Sequence, residues 1–234
     1  MTITIHQPET YPWLGFFNKM MLAEEYIILD NVKFRKNYFQ NRNQFLIQQK
    51  AVFLTVPVEK DANSKLIHDI KIAYVSNWRK KHLNTIKQNY AKAPFFDQHK
   101  AFFDTLYNQK FEFLVDFNMT VIRYIREVLG ITTPLLKASE LEVGGDSTLL
   151  LLNICKKRKA DIYISGRDGR NYLDVDMFEN NHIKIVYHQF IHPEYTQFNT
   201  NDFMPYMSTF DLLFNYSAEE AREIILKGGT ICEE

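Results

Sequence analysis

The chain has 234 residues, of which 46% are apolar, and its acidic and basic side chains balance to a formal net charge of zero. This length is enough to bury one substantial core. A neutral chain has no global field for nucleic acid or for an anionic membrane surface, so neither is expected as a partner.

No apolar run approaches the ~18 residues of a membrane helix, and the N-terminus lacks the basic and apolar regions of an export signal. The two cysteines, Cys155 and Cys232, lie far apart and match no metal-binding spacing. Thiols of this kind suit a reducing compartment. We therefore predict a cytoplasmic protein that does not bind membranes.

Residues 3–30 predict a strand, a loop, a helix and a second strand. Residues 3–5 are β-branched, residues 14–23 carry apolar side chains at helical spacing, and residues 26–29 are apolar again. Pro8 and Pro12 can continue neither neighbouring element, so they make the first connection a stiff loop. This order is the repeating unit of a parallel α/β sheet.

Ligands of parallel sheets bind outside the carboxyl ends of the strands. His6 and Asp30 are predicted to lie at two such ends, with Gln7, Tyr11 and Trp13 in the loop that follows His6. The N-terminus of the next helix presents unpaired amides, which suit an anion such as phosphate. The alternative is that His6 and Asp30 are ordinary turn residues.

Residues 31–45 mix basic, aromatic and amide side chains at a density that suits neither a helix interior nor a core, so we predict an ordered loop. Its candidate binding residues are Lys33, Arg35, Asn41, Arg42 and Asn43. A basic loop that follows the second strand can reach phosphates docked at the first helix. A solvated basic face is the alternative.

Residues 51–58 predict a strand, and residues 67–72 alternate as an edge strand does. From residue 77 the period becomes helical, and three helices are predicted over about residues 78–129, the last closed by Gly130. We interpret these helices as an insertion into the α/β pattern that caps a site. A packed helical layer with exposed charges is the alternative.

A second polar loop follows a later strand. Residues 160–165 predict that strand, and Ser165 at its end leads into Arg167, Asp168, Arg170 and Asn171. If the strands are parallel, this loop and the loop after His6 meet at one edge of the sheet.

Residues 183–190 predict a further strand that carries His188, with His192 just beyond it. His6, His188 and His192 show none of the close spacings of a metal site, so no metal is predicted. Two helices, at residues 207–215 and 217–227, complete the chain. The elements together predict a mostly parallel, Rossmann-like α/β sheet in a single domain, residues 1–234, with the helical insertion at about residues 78–129.

The chain resembles the WbqC-like family of bacterial proteins in five stretches, HQPETYPWLGFFNKM, ILDNVKFRKNYFQNRN, LTVPV, YISGRDGRNYLD and MSTFDLLFN. Members of that family are encoded among genes for O-antigen and other surface polysaccharides, which implies a role in making or decorating an unusual sugar. The order of elements is also similar to that of HUP-type nucleotidylyl transferases, including pantothenate synthetase-like ligases. The second histidine of their HxGH motif is absent here, where residues 13–16 stand.

These observations predict an enzyme that transfers an acyl or aminoacyl group to the amine of a nucleotide-linked amino sugar, through an adenylate if ATP is the co-substrate. His6 is the predicted general base or leaving-group stabiliser, and Asp30 and Asp168 are predicted to orient a sugar hydroxyl or amine. The sequence requires no cofactor, and the candidate donors are ATP or an acyl compound. The alternative is a non-catalytic sugar-nucleotide-binding or assembly protein of the same pathway.

Overall fold

The computed structural model of the protein describes residues 1–198 and 200–232, in which a six-stranded sheet is covered by helices on both faces. The strands are β1 Thr2–His6, β2 Glu25–Ile28, β3 Arg42–Ile47, β4 Lys50–Thr55, β5 Leu135–Lys137, β6 Ile162–Gly166, β7 Lys184–Phe190 and β8 Gly229–Cys232. The helices are α1 Leu14–Met21, α2 Trp78–Tyr90, α3 Phe96–Asn108, α4 Leu114–Val128, α5 Ser147–Lys157, α6 Val175–Glu179, α7 Thr209–Asn215 and α8 Ala218–Lys227. None of these helices has the length and apolar character needed to cross a membrane.

The main sheet has the strand order β5-β2-β1-β6-β7-β8, and only β8 runs antiparallel to its neighbour. Numbered by appearance within this sheet, the order is 3-2-1-4-5-6, which is that of a doubly wound Rossmann fold. The predicted mostly parallel, Rossmann-like sheet is therefore confirmed. The direction in which strands are added reverses between β1 and β6, so the topological switch point lies there.

Alternation along β1 decides which layer covers each side chain. Ile3 and Ile5 pack in the core that contains the buried faces of α5 and α6. Thr4 and His6 alternate with them and point to the opposite face, where the imidazole of His6 meets Phe16 of α1 edge-on at 5.1 Å between ring centroids. The first histidine therefore lies on the α1 side of the sheet.

The three helices predicted over residues 78–129 are present as α2, α3 and α4, and Gly130 ends α4 with a φ of 60°. Their buried aromatic faces join the same hydrophobic core as α1, α7 and α8. The β3–β4 hairpin is a separate two-stranded antiparallel sheet.

Three local features differ from the sequence-based expectation. Residues 42–45, predicted as loop, begin β3, because their backbone pairs with β4 across the hairpin. Residues 67–72, predicted as an edge strand, begin with a 3-10 turn at Ile67–Asp69, because their amides and carbonyls bond to separate partners at Val32 and Leu114. Strand β8 was not foreseen, since its four residues are defined by pairing with β7.

Asp211 of α7 is fully buried and ties three segments together. Its Oδ1 accepts from the Tyr90 hydroxyl of α2 at 2.8 Å, and its Oδ2 accepts from the Tyr195 hydroxyl at 2.9 Å and the Gln197 amide at 2.8 Å. Burial raises the pKa of Asp211 above its ordinary value, and the three donors oppose that rise. This carboxyl group fixes the segment after β7 against the helical layer.

The substitution Asp211→Ala is expected to lower the free energy of unfolding by about 3 kcal/mol, because two buried tyrosine hydroxyls and a buried amide lose their acceptor. Chemical denaturation measures the change. Asp97→Ala, at an exposed position, is the matched control and should cost less than ~1 kcal/mol. Equal losses in the two variants would contradict the assigned role of Asp211.

Candidate functional site

Two histidines flank a glycine at the carboxyl edge of the sheet. Gly166 of β6 pairs with His188 of β7, and the pairing of Thr4 with Ile164 puts His6 of β1 level with Gly166 on its other side. Neighbouring strands lie about 4.8 Å apart, so the two histidine Cα atoms are separated by about 10 Å. A Cβ atom placed on Gly166 would meet no heavy atom of the described residues within 4 Å. The result is an open gap between two imidazoles at the topological switch point, where doubly wound folds bind ligands.

His6 is held as a neutral imidazole with one lone pair directed away from the backbone. Its Nδ1 donates to the carbonyl of Gln7 at 2.9 Å, because a carbonyl can only accept. Its Nε2 lies 3.9 Å from Oε1 of Glu9. Burial, followed by the positive charge of Lys19, lowers the pKa of His6 to about 3.

His188 is fixed by an amide whose orientation is itself determined. Asn18 of α1 donates through Nδ2 to the carbonyl of Ile225 at 2.8 Å, so its Oδ1 accepts from His188 Nε2 at 2.7 Å. The lone pair of His188 is therefore on Nδ1. Burial and the charge of Lys19 lower the pKa of His188 to about 4.

The side chain of Asn18 has room beside His188 because its neighbour on strand β8 is a glycine, Gly229. A Cβ atom on Gly229 would stand 1.8 Å from Asn18 Oδ1, so any other residue at this position would displace the Asn18 amide. Gly229, the second glycine of the late GG pair, therefore leaves the space that Asn18 needs to support His188.

Glu9 and Lys19 lie beneath the histidine pair and are almost fully buried, with 4% and 3% of their surface exposed. Lys19 Nζ donates to the carbonyl of Ile5 at 3.2 Å, whereas Glu9 Oε2 has no hydrogen-bond partner among the described residues. Burial raises the pKa of Glu9 to about 8 and lowers the pKa of Lys19 to about 7. At neutral pH this layer therefore holds little net charge.

The sequence-based reasoning missed Glu9, Asn18 and Lys19. The sequence signal that could have identified Asn18 and Lys19 is the α1 sequence LGFFNKMM. In it an amide and an amine interrupt a helix that is buried almost all round. Polar side chains in such a helix need a local partner. Glu9 also takes the position predicted for a phosphate, because it accepts a backbone hydrogen bond from Trp13 at the start of α1.

Asp30, a predicted catalytic residue, lies at the carboxyl end of β2 and is fully buried. Its two oxygens accept from the backbone amide and the hydroxyl of Ser139 at 2.9 and 2.7 Å. In this structure Asp30 therefore joins the end of β2 to the segment that follows β5.

The structure distributes the residues of the basic loop over several environments. Gln7 accepts from Gln40 Nε2 at 2.6 Å, and Arg35 donates its backbone amide to the same glutamine at 2.7 Å, so these two predicted residues are brought together beside His6. Lys33 is exposed and forms a single backbone bridge with Leu66.

Four further predicted residues are engaged with other protein groups. Tyr11 is buried and shares a 2.6 Å hydrogen bond with the hydroxyl of Tyr107. Asn41 donates to the Val56 carbonyl, Arg42 stacks on the ring of Phe53 at 4.3 Å, and Asn43 bonds to the amide of Gln44. The fully buried Nδ2 of Asn43 and the Nε of Arg42 have no partner among the described residues.

The late polar loop begins beside His6 but turns to the other face of the sheet. Ser165 is two residues after Tyr163 and so shares its face of the sheet, where Tyr163 packs against Phe178 of α6. Arg170 lies over the ring of Tyr187 at 4.6 Å. Arg167, Asp168 and Asn171 are exposed on a 3-10 turn. The two loops share one edge, as parallel strands require, and their side chains approach it from opposite faces.

Trp13 is half-buried at the start of α1, where it packs against the last ring of β7 and two rings that follow this strand in the sequence. Its indole meets Phe190 edge-on at 5.1 Å and lies 6.4 Å from His192 and 5.7 Å from Tyr206. Within the described parts of the chain, no group of three or more His, Cys, Asp or Glu side chains is placed to hold a metal ion.

The sequence profile of the WbqC-like protein family matches residues 7–223. The chain belongs to this family. It is also 28% identical over 221 residues to the uncharacterized protein Rv1507c of Mycobacterium tuberculosis (strain ATCC 25618 / H37Rv), an alignment that covers 93% of this chain and 94% of that protein. No solved structure matches the chain, so its likeness to HUP-type nucleotidylyl transferases stays a prediction.

Lowering the pH from 7 to 5 is expected to reduce the free energy of unfolding of this family member. The pKa of His188 falls from 6.5 when unfolded to about 4 when folded, so the unfolded chain binds more protons in this window. The contribution of His188 to the free energy of unfolding is fully present above pH ~6.5 and is lost as the pH falls toward ~4. Between pH 7 and pH 5 this loss amounts to about 2 kcal/mol.

Urea unfolding at the two pH values measures this effect. The glutamine amide in His188→Gln can still donate to Asn18. The decrease in the free energy of unfolding between pH 7 and pH 5 should be about 2 kcal/mol smaller in this variant than in wild type. His182→Asn is the matched control at an exposed histidine with a φ of 59°, which asparagine tolerates. The same pH response in wild type and His188→Gln would contradict the assignment of a neutral, buried His188.

Proposed function

We propose that the protein transfers an acyl or aminoacyl group to the amine of a nucleotide-linked amino sugar used in surface polysaccharides. The observation that carries the proposal is the neutral His6, whose Nδ1 is fixed by Gln7 and whose position on β1 is level with the open space at Gly166 of β6. The setting in polysaccharide synthesis rests on the resemblance to WbqC-like proteins, and the topological switch point is where this fold class binds nucleotides.

The chemistry needs an unprotonated base and an unprotonated amine. The sugar amine attacks the carbonyl carbon of the donor, a C–N bond forms, and the bond from that carbon to a thiolate or to AMP breaks. The proton lost by the amine passes to Nε2 of His6 and then to solvent. The low pKa of His6 keeps the lone pair available, and the negative charge of a bound nucleotide would raise that pKa toward the useful range.

The remaining predicted residues take supporting roles in this proposal. Arg35, Arg42, Arg167 and Arg170 would bind phosphates, and Asp168 would orient a hydroxyl or amine of the sugar. Asp30 would act through Ser139, since both of its oxygens are bonded there. ATP or an acyl thioester would supply the activated donor.

A second candidate is a protein of the same pathway that binds a sugar nucleotide without turning it over. One observation favours it: burial lowers the pKa values of both site histidines, to about 3 and about 4, so neither is tuned to the range in which a general base is most effective.

Ligand-induced stabilisation is expected with UDP- or dTDP-linked amino sugars, because a ligand at one hundred times its Kd stabilises the folded state by about 2.7 kcal/mol. Thermal unfolding should be compared for these sugars, ATP and acyl-CoA. Stabilisation by ATP alone would favour a ligase, and no stabilisation by any sugar nucleotide would contradict both candidates. A mass increase of the amino sugar by one acyl group, seen with wild type and absent with His6→Gln, separates transfer from plain binding.

Filling the gap should abolish ligand binding without unfolding the protein. Gly166 has a φ of −71° and open space around its Cβ position, so Gly166→Val should change the free energy of unfolding by less than ~1 kcal/mol while placing methyl groups between the histidines. Gly144→Val, also in open space, is the matched control and should bind as wild type does. Calorimetric titration with the sugar nucleotide that stabilises the protein most measures the affinity of both variants. An unchanged affinity in Gly166→Val would place the site elsewhere.

A further inference from the structure

The β3–β4 hairpin has an edge strand, β4, whose outer backbone groups are not bonded to any described residue. In an antiparallel pair, the amide and carbonyl groups of successive residues point alternately toward and away from the neighbouring strand. The amide of Val56 bonds to the carbonyl of Asn41, so the even-numbered residues of β4 face β3. The amides and carbonyls of Ala51, Phe53 and Thr55 therefore point outward, and no described residue bonds to them.

The other edge of the hairpin is covered by the rest of the chain. On β3, the outward carbonyl of Gln44 accepts from the amide of Ser208 at 2.8 Å. The outward amide of Leu46 donates to the Tyr90 hydroxyl, also at 2.8 Å. The fold thus satisfies one edge of this two-stranded sheet and leaves the other open. Native proteins usually shield such an open edge, because it can pair with another strand.

The side chains of β4 do not shield its outer edge. Residues 51–56, AVFLTV, contain no charge, glycine or proline, and they are flanked by Lys50 and Pro57. Val52 is 37% exposed and Phe53 is 41% exposed. Charged side chains and prolines within the strand are the usual devices against edge pairing, and residues 51–56 have neither. A β-branched and aromatic strand without charge is suited to pairing with a further strand.

A second copy of the chain is the occupant that this edge fits. Two β4 strands related by a two-fold axis run antiparallel, so each presents the same outward groups to the other. If the axis passes beside Phe53, this residue faces its own mate, Ala51 faces Thr55 of the second copy, and every outward group is bonded. If the axis passes beside Val52, Ala51 faces Phe53 of the second copy, and only Thr55 lacks a partner.

The side chains are compatible with both positions of the axis. Lys50, the charged residue of β4, faces Val56 of the second copy in the first arrangement and Leu54 in the second, so no like charges meet. Phe53 or Val52 packs against its own mate at the axis. Pairing therefore covers the exposed apolar side chains of β4 as well as its backbone.

Pairing of this kind is complete with two copies. The outer strands of the joined sheet are the two β3 strands, whose outward groups at Gln44 and Leu46 are already bonded within each chain. Beyond β4, the chain covers its own edge, because Ala73 donates to the carbonyl of Pro57 and Val58 bridges to Ile72. A third copy finds no open edge, so the assembly closes as a dimer and does not extend into a fibre.

We propose that the outer edge of β4 is the interface of a two-fold symmetric dimer, in which two β4 strands pair antiparallel and join the two hairpins into one sheet. The dimer does not depend on the proposed transfer reaction, because it involves neither His6 nor His188. The interface is small, so the dimer dissociates on dilution.

Light scattering after size-exclusion chromatography measures the mass of the full chain over a range of concentrations. At about 100 µM the wild type is expected to have twice the 27.8 kDa mass of one chain. In Phe53→Glu the new carboxylate can pair with Arg42, whose guanidinium lies over the ring of Phe53, but two carboxylates repel each other near the two-fold axis. This variant should be a monomer with the circular dichroism spectrum of wild type. Val75→Glu, at an apolar side chain that is 91% exposed, is the matched control and should dimerise as wild type does.

Cysteine crosslinking tests the pairing without adding charge. Cys155 is buried, so Cys232→Ser removes the accessible thiol from the background. In this background, mild oxidation is expected to give a covalent dimer with Val52→Cys or with Phe53→Cys, whichever position faces its own mate. Facing Cα atoms of an antiparallel pair lie within the range that a disulfide spans. Val75→Cys is the control and should give no covalent dimer.

The proposal is overturned if the wild type is a monomer at every concentration, or if Phe53→Glu dimerises as wild type does. It is also overturned if neither β4 cysteine crosslinks more than Val75→Cys does. A mass that grows beyond two copies would show an open assembly and would overturn the closed dimer.

Discussion

The parallel pairing of β1 with β2 on one side and β6 on the other is the constraint on which the site depends. With these strands parallel, the chain leaves each of them at the same edge of the sheet. Strands are added on one side of β1 first and on its other side from β6 onward. Because β1 and β6 send their connections to different sides, the edge stays open between them. His6 and Gly166 occupy that opening, and the side chain that glycine lacks leaves the space between the two histidines.

Burial controls the chemistry of this opening more than charge pairing does. Glu9 and Lys19 are both nearly inaccessible, and the pKa of each is displaced toward its neutral form. The two histidines above them are neutral, and each has a defined tautomer because the other ring nitrogen is already bonded. Buried groups of this kind respond strongly to the charge of an incoming ligand.

Two buried carboxyl groups support the loops around this edge. Asp30 bonds twice to Ser139 and so joins the ends of neighbouring strands β2 and β5. Asp211 receives three hydrogen bonds and fixes the segment after β7, which carries His192 and Tyr206. Removing either acceptor would leave buried donors unpaired, which makes these positions structurally costly to change.

The sequence by itself determined the α/β class, the alternation of strand and helix, and the placement of His6 and the SGRDGRN loop at strand ends, because those features follow from local periodicity and from turn residues. The sequence did not determine the roles of Asn41 and Asn43, since their amide groups can either bind a ligand or form hydrogen bonds with a neighbouring backbone. Only the tertiary structure decided that Asp30 bonds to Ser139, that residues 42–45 pair with β4, and that Asn18 orients His188. These contacts join residues up to 170 positions apart, and the energy of burying a polar group depends on the partner that folding brings to it.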